Sequence, residues 1–163
     1  MTGLASAVLV VVDVQVGFVR STSQRAVPVI ADLVARWQAA GGDTVFTRYL
    51  NHPGSQFERL IGWSAMQPSS PEIELAPELQ DAGKRATAII DKHTYSSLTP
   101  ELVGLIREHG WTDLYVCGIA TESCVLKTAV DAFKAKLTPW VITDASASRG
   151  GSSARVSSSR RLK

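Results

Sequence analysis

A thiol, a carboxylate and an ammonium stand where this sequence leaves apolar runs for polar turns: Cys124, Asp13 and Lys92. Each is an ionisable side chain, and a thiol becomes a nucleophile where its surroundings favour loss of its proton. Cys124 has the most specific setting. Residues 114–117 read as the apolar end of a buried strand, and Gly118 breaks it. Residues 121–136 then have helical spacing, with Val125, Leu126, Ala129, Val130 and Phe133 sharing a face. Thr121 suits the N-cap and Glu122 the first turn. Cys124 thus falls in the first turn of a helix that follows a strand, where unpaired N–H groups and the helix dipole favour a thiolate. The alternative for Cys124 is a small buried core residue. Cys117 lies inside the strand with no helix terminus beside it, and reads as core.

Asp13 ends the run 7–12 (AVLVVV), the pattern of a parallel strand buried on both faces. A carboxylate at the C-terminal end of such a strand is costly unless paired or used. The other reading is an Asp in a turn or cap. Lys92 follows the strand-like run 86–90 in Asp91-Lys92-His93-Thr94-Tyr95-Ser96; taken alone it reads as a solvated surface charge.

What joins the three is the frame. Residues 28–40 form an amphipathic helix with Pro28 in its first turn and Gly41-Gly42 at its stop. Residues 44–47 are a second strand. Thr99 caps a helix that runs to His109, with Pro100 at its first position and Gly110 beyond its end. Residues 112–117 and 139–143 are the fourth and fifth strands, the last ending at Asp144. Strands alternating with helices predict a doubly wound (Rossmann-like) α/β three-layer sandwich, its parallel sheet of five to six strands joined by right-handed crossovers. All strand C-termini then share one edge, and Asp13, Lys92 and Cys124 belong to it. Between strands two and three, residues 48–77 hold several prolines and little periodicity. A segment that long suggests a lid or an oligomer contact, and its Tyr49, Phe57 and Trp63 suit either a pocket wall or plain packing.

Composition narrows the class. At 163 residues the chain is one domain with a real core. A net charge of +2, concentrated in the last residues, with no basic stripe among aromatics, argues against nucleic acid. No apolar run approaches membrane-spanning length. The run 7–12 lacks a basic leader and reads as a strand rather than a signal peptide. Two cysteines in unlike contexts make no disulfide framework, which fits a reducing, cytoplasmic setting. Residues 147–163 are Ser-, Gly- and Arg-rich and read as loosely packed or extended. The division expected is therefore a domain over residues 1–147 and a tail over 148–163.

The chain resembles the isochorismatase-like cysteine hydrolases, the superfamily that includes nicotinamidases. The resemblance runs from about Ala7 to Gly151. It rests on Val11-Val12-Asp13-Val14-Gln15, on Asp91-Lys92-His93-Thr94-Tyr95-Ser96 and above all on Cys117-Gly118-Ile119-Ala120-Thr121-Glu122-Ser123-Cys124-Val125. It implies an Asp13–Lys92–Cys124 triad and a cis peptide at Ile119–Ala120. Gln15, Phe18, Tyr95 and Thr121 are the expected substrate contacts. Nicotinamidases of this superfamily carry an Asp and two His for a metal after the second strand. Here that stretch reads Arg48-Tyr49-Leu50-Asn51-His52-Pro53. One His without an Asp makes a poor metal site, so neither a metal nor a cofactor is expected. A Cys nucleophile points to amide or other acyl chemistry rather than vinyl-ether cleavage.

The expected function is a metal-independent hydrolase of a small amide-like substrate, working through an acyl-enzyme on Cys124. In it Asp13 is the base, Lys92 lowers the pKa values of Asp13 and Cys124 and holds the thiolate, and N–H groups around Ala120 and Cys124 bind the oxyanion. The alternatives are an isochorismatase-type vinyl-ether hydrolase and a catalytically silent binding protein on the same fold. The expected partners are a small-molecule substrate and further copies of the chain, as a dimer or tetramer.

Overall fold

The computed structural model describes residues 3–149. Five parallel strands form one sheet in the order β3-β2-β1-β4-β5: β1 (Ala7–Val12), β2 (Asp43–Tyr49), β3 (Ala88–Lys92), β4 (Asp113–Ile119) and β5 (Thr138–Ala147). β1 is central and buried along its whole length, as its unbroken β-branched run requires. Its side chains divide between two cores. Leu9 and Val11 pack with Ile30 and Val34 of α1 (Ala26–Ala39). Val8, Val10 and Val12 pack with Leu102 and Ile106 of α4 (Pro100–His109) and Ala132 of α5 (Leu126–Lys134). Two short helices, α2 (Gln56–Ile61) and α3 (Gln80–Lys84), lie between β2 and β3.

The chain winds outward from β1 to β3, then crosses back to β4 beside β1. The topological switch point therefore lies between β1 and β4, and a crevice opens there at the strand C-termini. The α4 signals hold in detail. Thr99 accepts a hydrogen bond from the Leu102 N–H at 3.3 Å, and Gly110 closes the helix in the left-handed region at φ 70°.

Four expectations change. Gly118 does not break β4: the strand runs through it to Ile119, with a shift of register against β5 between Val116 and Gly118. Gly118 has φ +123°, and a Cβ there would lie 2.1 Å from the Val12 carbonyl oxygen, so only glycine lets β4 pass so close to β1. The helix carrying Cys124 opens with a π-turn over Thr121–Val125, in which the Val125 N–H bonds the Ala120 carbonyl. Thr121 is not the cap; that position is Ala120. The inward face is Val125 of this turn with Thr128, Ala129 and Ala132 of α5, whereas Phe133 is 74% exposed. Apolar periodicity followed the large side chains, but only small ones fit against the sheet here. Of residues 147–163, Ala147 ends β5 and both it and Ser148 are buried rather than loose. Beyond Arg149 the Ser/Arg-rich stretch lies outside the described residues.

Candidate active site

Asp13 leaves β1 with φ 50°, a left-handed conformation that Asp tolerates better than most residues. This turns its carboxylate into the switch-point crevice, where it is fully buried. Both of its oxygens are held. The Lys92 Nζ donates to Oδ2 at 2.7 Å, and the Thr47 hydroxyl donates to Oδ1 at 2.7 Å. Lys92 ends β3, and its remaining donors go to the carbonyls of Thr94 (2.8 Å) and Tyr95 (3.1 Å). An ammonium has three N–H donors, so none is left over. Lys92 is thus not a surface charge: it is 1% exposed and fully paired. A buried pair persists only with this degree of hydrogen bonding, because desolvation of each ion otherwise costs several kcal/mol.

Cys124 lies beside the pair, its thiol within hydrogen-bond reach of the Asp13 carboxylate. Its thiol is buried, and burial pushes its pKa up to about 12. The Asp13 carboxylate and the hydrogen bond to it add to the rise; Lys92 and a hydrogen bond from Ser123 oppose it. At neutral pH the resting group is therefore a thiol, not the thiolate expected from the helix terminus and Lys92. The direction of the Lys92 effect was legible; that burial and Asp13 outweigh it was not.

Thr47 carries a second support. The Ser97 hydroxyl lies 3.4 Å from the Thr47 hydroxyl, the Ser97 N–H donates to Thr128 Oγ1 at 2.9 Å, and the Thr128 hydroxyl donates to the Cys124 carbonyl at 2.7 Å. One buried hydroxyl chain thus ties the carboxylate to the turn that bears the thiol.

The thiol opens onto a cavity of about 310 Å³. Phe18, Tyr49, Phe57, Trp63 and Tyr95 wall it in mutual ring contact, with centroids 5.4–6.1 Å apart. Tyr49 is sunk deeply enough for burial to push its hydroxyl pKa up to about 12. The Ile119–Ala120 peptide is cis, and Ile119, Ala120, Ser123 and Cys124 also line the cavity.

Of the four expected substrate contacts, Phe18 and Tyr95 line this cavity. Gln15 and Thr121 do not. The Gln15 amide is consumed structurally: it donates to the carbonyls of Tyr49 and Ile73 and accepts from the Tyr49 N–H. The Thr121 hydroxyl is buried without a hydrogen-bond partner. Arg149 was missed altogether. It lines the cavity, yet its sequence neighbourhood of Ser, Gly and Arg resembles a tail.

The donors expected of a nicotinamidase-type metal site do not fit. The segment beside His52 offers Asn51 rather than an Asp, and its Oδ1 already accepts from the Tyr49 hydroxyl and the His52 N–H. The fold does bring a second imidazole, His93, within 5.8 Å of His52, which sequence spacing did not reveal. The Nδ1 atoms of both lie within hydrogen-bond distance of backbone carbonyls. Among the described residues no three His, Cys, Asp or Glu side chains gather at one point.

Comparison with known proteins now decides the class. The family model described as an isochorismatase domain matches residues 7–163. The chain belongs to the isochorismatase family. A nicotinamidase of Acinetobacter baylyi is 46% identical over 55 residues, which is 34% of this chain and only 24% of that protein. The match thus spans about a quarter of that relative's length. Among solved structures, the pyrazinamidase/nicotinamidase of Streptococcus mutans superposes with a TM-score of 0.87 at 22% identity, over 96% of this chain and 95% of that one. The N-carbamoylsarcosine amidase of Thermoplasma acidophilum gives 0.82 at 22% identity, over 95% and 91%. Both share the fold. No helix of the described residues is long and apolar enough to cross a membrane.

Proposed function

We propose that this isochorismatase-family hydrolase cleaves a C–N bond in a small amide-like substrate, without a metal, through an acyl-enzyme on Cys124. The observation that carries the reading is the buried Lys92–Asp13 pair, with its 2.7 Å contact, set against a thiol that lines an aromatic cavity. Asp13 accepts the Cys124 proton as sulfur attacks the substrate carbonyl carbon. The raised thiol pKa favours this transfer at the moment of attack over a standing thiolate. Backbone N–H groups of Ala120 and Cys124, on the wall beside the sulfur, stabilise the oxyanion; one such donor is typically worth about 3–4 kcal/mol. Asp13 then gives its proton to the leaving nitrogen, and the C–N bond breaks to leave a thioester. Water attacks the thioester, Asp13 takes up its proton, and the acid departs as Cys124 regains its hydrogen. Lys92 holds the Asp13 carboxylate in place through these steps by its 2.7 Å hydrogen bond to Oδ2.

A nicotinamidase and a carbamoyl-compound amidase among the similar proteins support amides as the class to try first. Ammonia release from a panel of small primary amides and carbamoyl compounds is the test. Turnover by the native chain, abolished in Cys124→Ala and unchanged by a chelator, is the expected outcome. Turnover that survives Cys124→Ala would overturn the acyl-enzyme. Two accompanying parts of the reading are a reducing cytoplasmic setting, which keeps the free thiols reduced, and a homo-oligomer. Leu60 and Ile61, 76% and 69% exposed on α2, are the apolar surface that assembly would cover. A monomer by light scattering at micromolar concentration would remove the oligomer.

A further inference from the structure

The loop that follows β3 meets the reaction centre from two directions. The carbonyls of Thr94 and Tyr95 accept from the Lys92 Nζ at 2.8 and 3.1 Å, and Lys92 in turn donates to Asp13 at 2.7 Å. Two residues further on, the Ser97 N–H donates to Thr128 Oγ1 at 2.9 Å, and the Thr128 hydroxyl donates to the Cys124 carbonyl at 2.7 Å. Base and nucleophile come from separate elements, yet both are braced against residues 94–97. Thr128 supplies the side chain of the second route. It sits on the buried face of α5 with Ala129 and Ala132. A hydroxyl on such a face is costly unless bonded, and valine has nearly the same shape without that cost. A threonine bonded back to the carbonyl four residues earlier is a common helical habit and alone assigns no role. Here the same oxygen also takes up an N–H from outside the helix, and the carbonyl it holds belongs to the nucleophile. The turn it holds is the π-turn Thr121–Val125, which departs from regular helical spacing.

We infer that Thr128 is a positioning residue for the reaction: it ties the Cys124 backbone to the loop that grips Lys92, and so fixes the sulfur against the Asp13 carboxylate. The inference rests on the acyl-enzyme reading above and names a residue that acts through Cys124. Thr128 itself does not line the cavity. Transfer of the thiol proton to the carboxylate needs the two groups at hydrogen-bond distance as the sulfur attacks. Asp13 follows β1 and Cys124 follows β4, so cross-links between elements set their separation. The route through Thr128 and Ser97 to the Lys92 loop is one such cross-link; the 3.4 Å contact of Ser97 with Thr47, which donates to Asp13, is a weaker branch of it. Removing the Thr128 hydroxyl orphans the Ser97 N–H and frees the nucleophile's turn from the loop, while the residues that wall the cavity are all retained.

The test compares Thr128→Val, which removes the hydroxyl, with Thr128→Ser, which keeps it. Thr128→Ala gives the same readouts should the valine variant not fold, and circular dichroism establishes folding in each. The first readout is the rate of Cys124 alkylation by iodoacetamide against pH, which needs no turnover. Asp13 raises the thiol pKa through its charge and its hydrogen bond, Lys92 lowers it, and Tyr49 of β2 is the third titratable group that interacts with this thiol. The hydrogen bond has the shortest reach and is lost first when the sulfur shifts. The alkylation curve of Thr128→Val should therefore move to lower pH, and that of Thr128→Ser should stay near the native one. The second readout is turnover of whichever amide the native chain hydrolyses. In Thr128→Val kcat should fall about tenfold or more with KM within about twofold, and Thr128→Ser should recover most of the loss. An unshifted alkylation curve in the folded variant, a loss that Thr128→Ser shares in full, or a KM that rises as much as kcat falls would overturn the inference. The two readings fail separately. A shifted curve in a chain that hydrolyses no amide keeps the tie between thiol and carboxylate and removes the amidase; amide turnover equal in native and Thr128→Val protein does the reverse.

Discussion

The floor and the rim of the cavity are built on opposite principles. At the floor, Asp13, Lys92, Thr47 and Ser97 are buried, and every charged donor and acceptor has a partner. At the rim, Arg149 is exposed and its side chain rests on the Phe18 and Trp63 rings, with no ion pair among the described residues. A fully satisfied polar cluster has one geometry and tolerates little change, because any orphaned charge is costly in a low-dielectric setting. The floor is thus fixed by hydrogen bonds, whereas the described part of the rim is held by ring contacts.

The sharpest way to break this division is to remove a charge from the floor. Asp13→Asn is expected to lower kcat by about a hundredfold to ten-thousandfold, the span typical of losing a general base. The same change should speed alkylation of Cys124 by iodoacetamide near neutral pH. The Asp13 carboxylate and its hydrogen bond raise the thiol pKa, so their removal lets the remaining pull of Lys92 act. Opposite signs in two assays on one variant are hard to obtain from general misfolding. Slower alkylation in Asp13→Asn would mean that the carboxylate does not govern this thiol.

Lys92→Met tests the floor as structure. It leaves Asp13 buried beside a vacancy of charge, which typically costs about 3–5 kcal/mol and should appear as a lower urea midpoint. Alkylation of Cys124 should slow, because Lys92 draws the thiol pKa down. An unchanged midpoint would contradict the pairing seen at 2.7 Å.

Thr47→Val is milder. It removes the hydroxyl that donates to Asp13 Oδ1 at 2.7 Å and cuts the hydroxyl chain towards Thr128. A loss of about 1–2 kcal/mol in stability is expected from one orphaned buried acceptor. If Thr47 aims the carboxylate, kcat should fall about tenfold, as for a modestly misplaced catalytic group, with KM little changed. An equal rise in KM would make Thr47 a general packing residue.

How much of this was legible depended on whether a residue announced its role by type and place. Asp13, Lys92 and Cys124 could be placed on one edge because parallel strands put all their C-termini together, and this needed only the alternation of strands and helices. Thr47 could not be singled out, since a Thr inside a β-branched strand looks like any other strand residue. Arg149 was hidden for a different reason. Its flanking composition resembles a solvated tail, and only the length of β5, which runs to Ala147 rather than ending at Thr143, carries it into the cavity. Gln15 failed in the reverse direction: it was an expected substrate contact, but main-chain groups of Tyr49 and Ile73 had prior claim on its amide. Local sequence reports which groups are available; which groups remain unpaired is a property of the whole fold.

The smallest effect separates the two cysteines. Cys117 and Cys124 both have thiol pKa values pushed up to about 12, against 9.0 for an unperturbed group. For Cys117 burial alone is the cause; it lies in the core that β1 and β4 share with α1, away from Asp13 and the cavity. The consequence for stability has a definite sign. Above pH 9 an unfolded thiol loses its proton while the folded one keeps it, so the unfolded state binds fewer protons and stability falls as pH rises. Each thiol contributes a slope of at most about 1.4 kcal/mol per pH unit between about pH 9 and 12, and nothing below pH 9. Cys117→Ala should therefore flatten the alkaline stability curve by one proton's worth while leaving iodoacetamide labelling at Cys124 in place. Lysines and tyrosines titrate in the same range, but they are common to both proteins and cancel in the difference. Denaturant midpoints of the native chain and Cys117→Ala, compared from pH 8 to 10.5, provide the check. Parallel curves would mean that the strand thiol ionises as freely as a solvated one, and the contrast between a silent core cysteine and a working one would then rest on position alone.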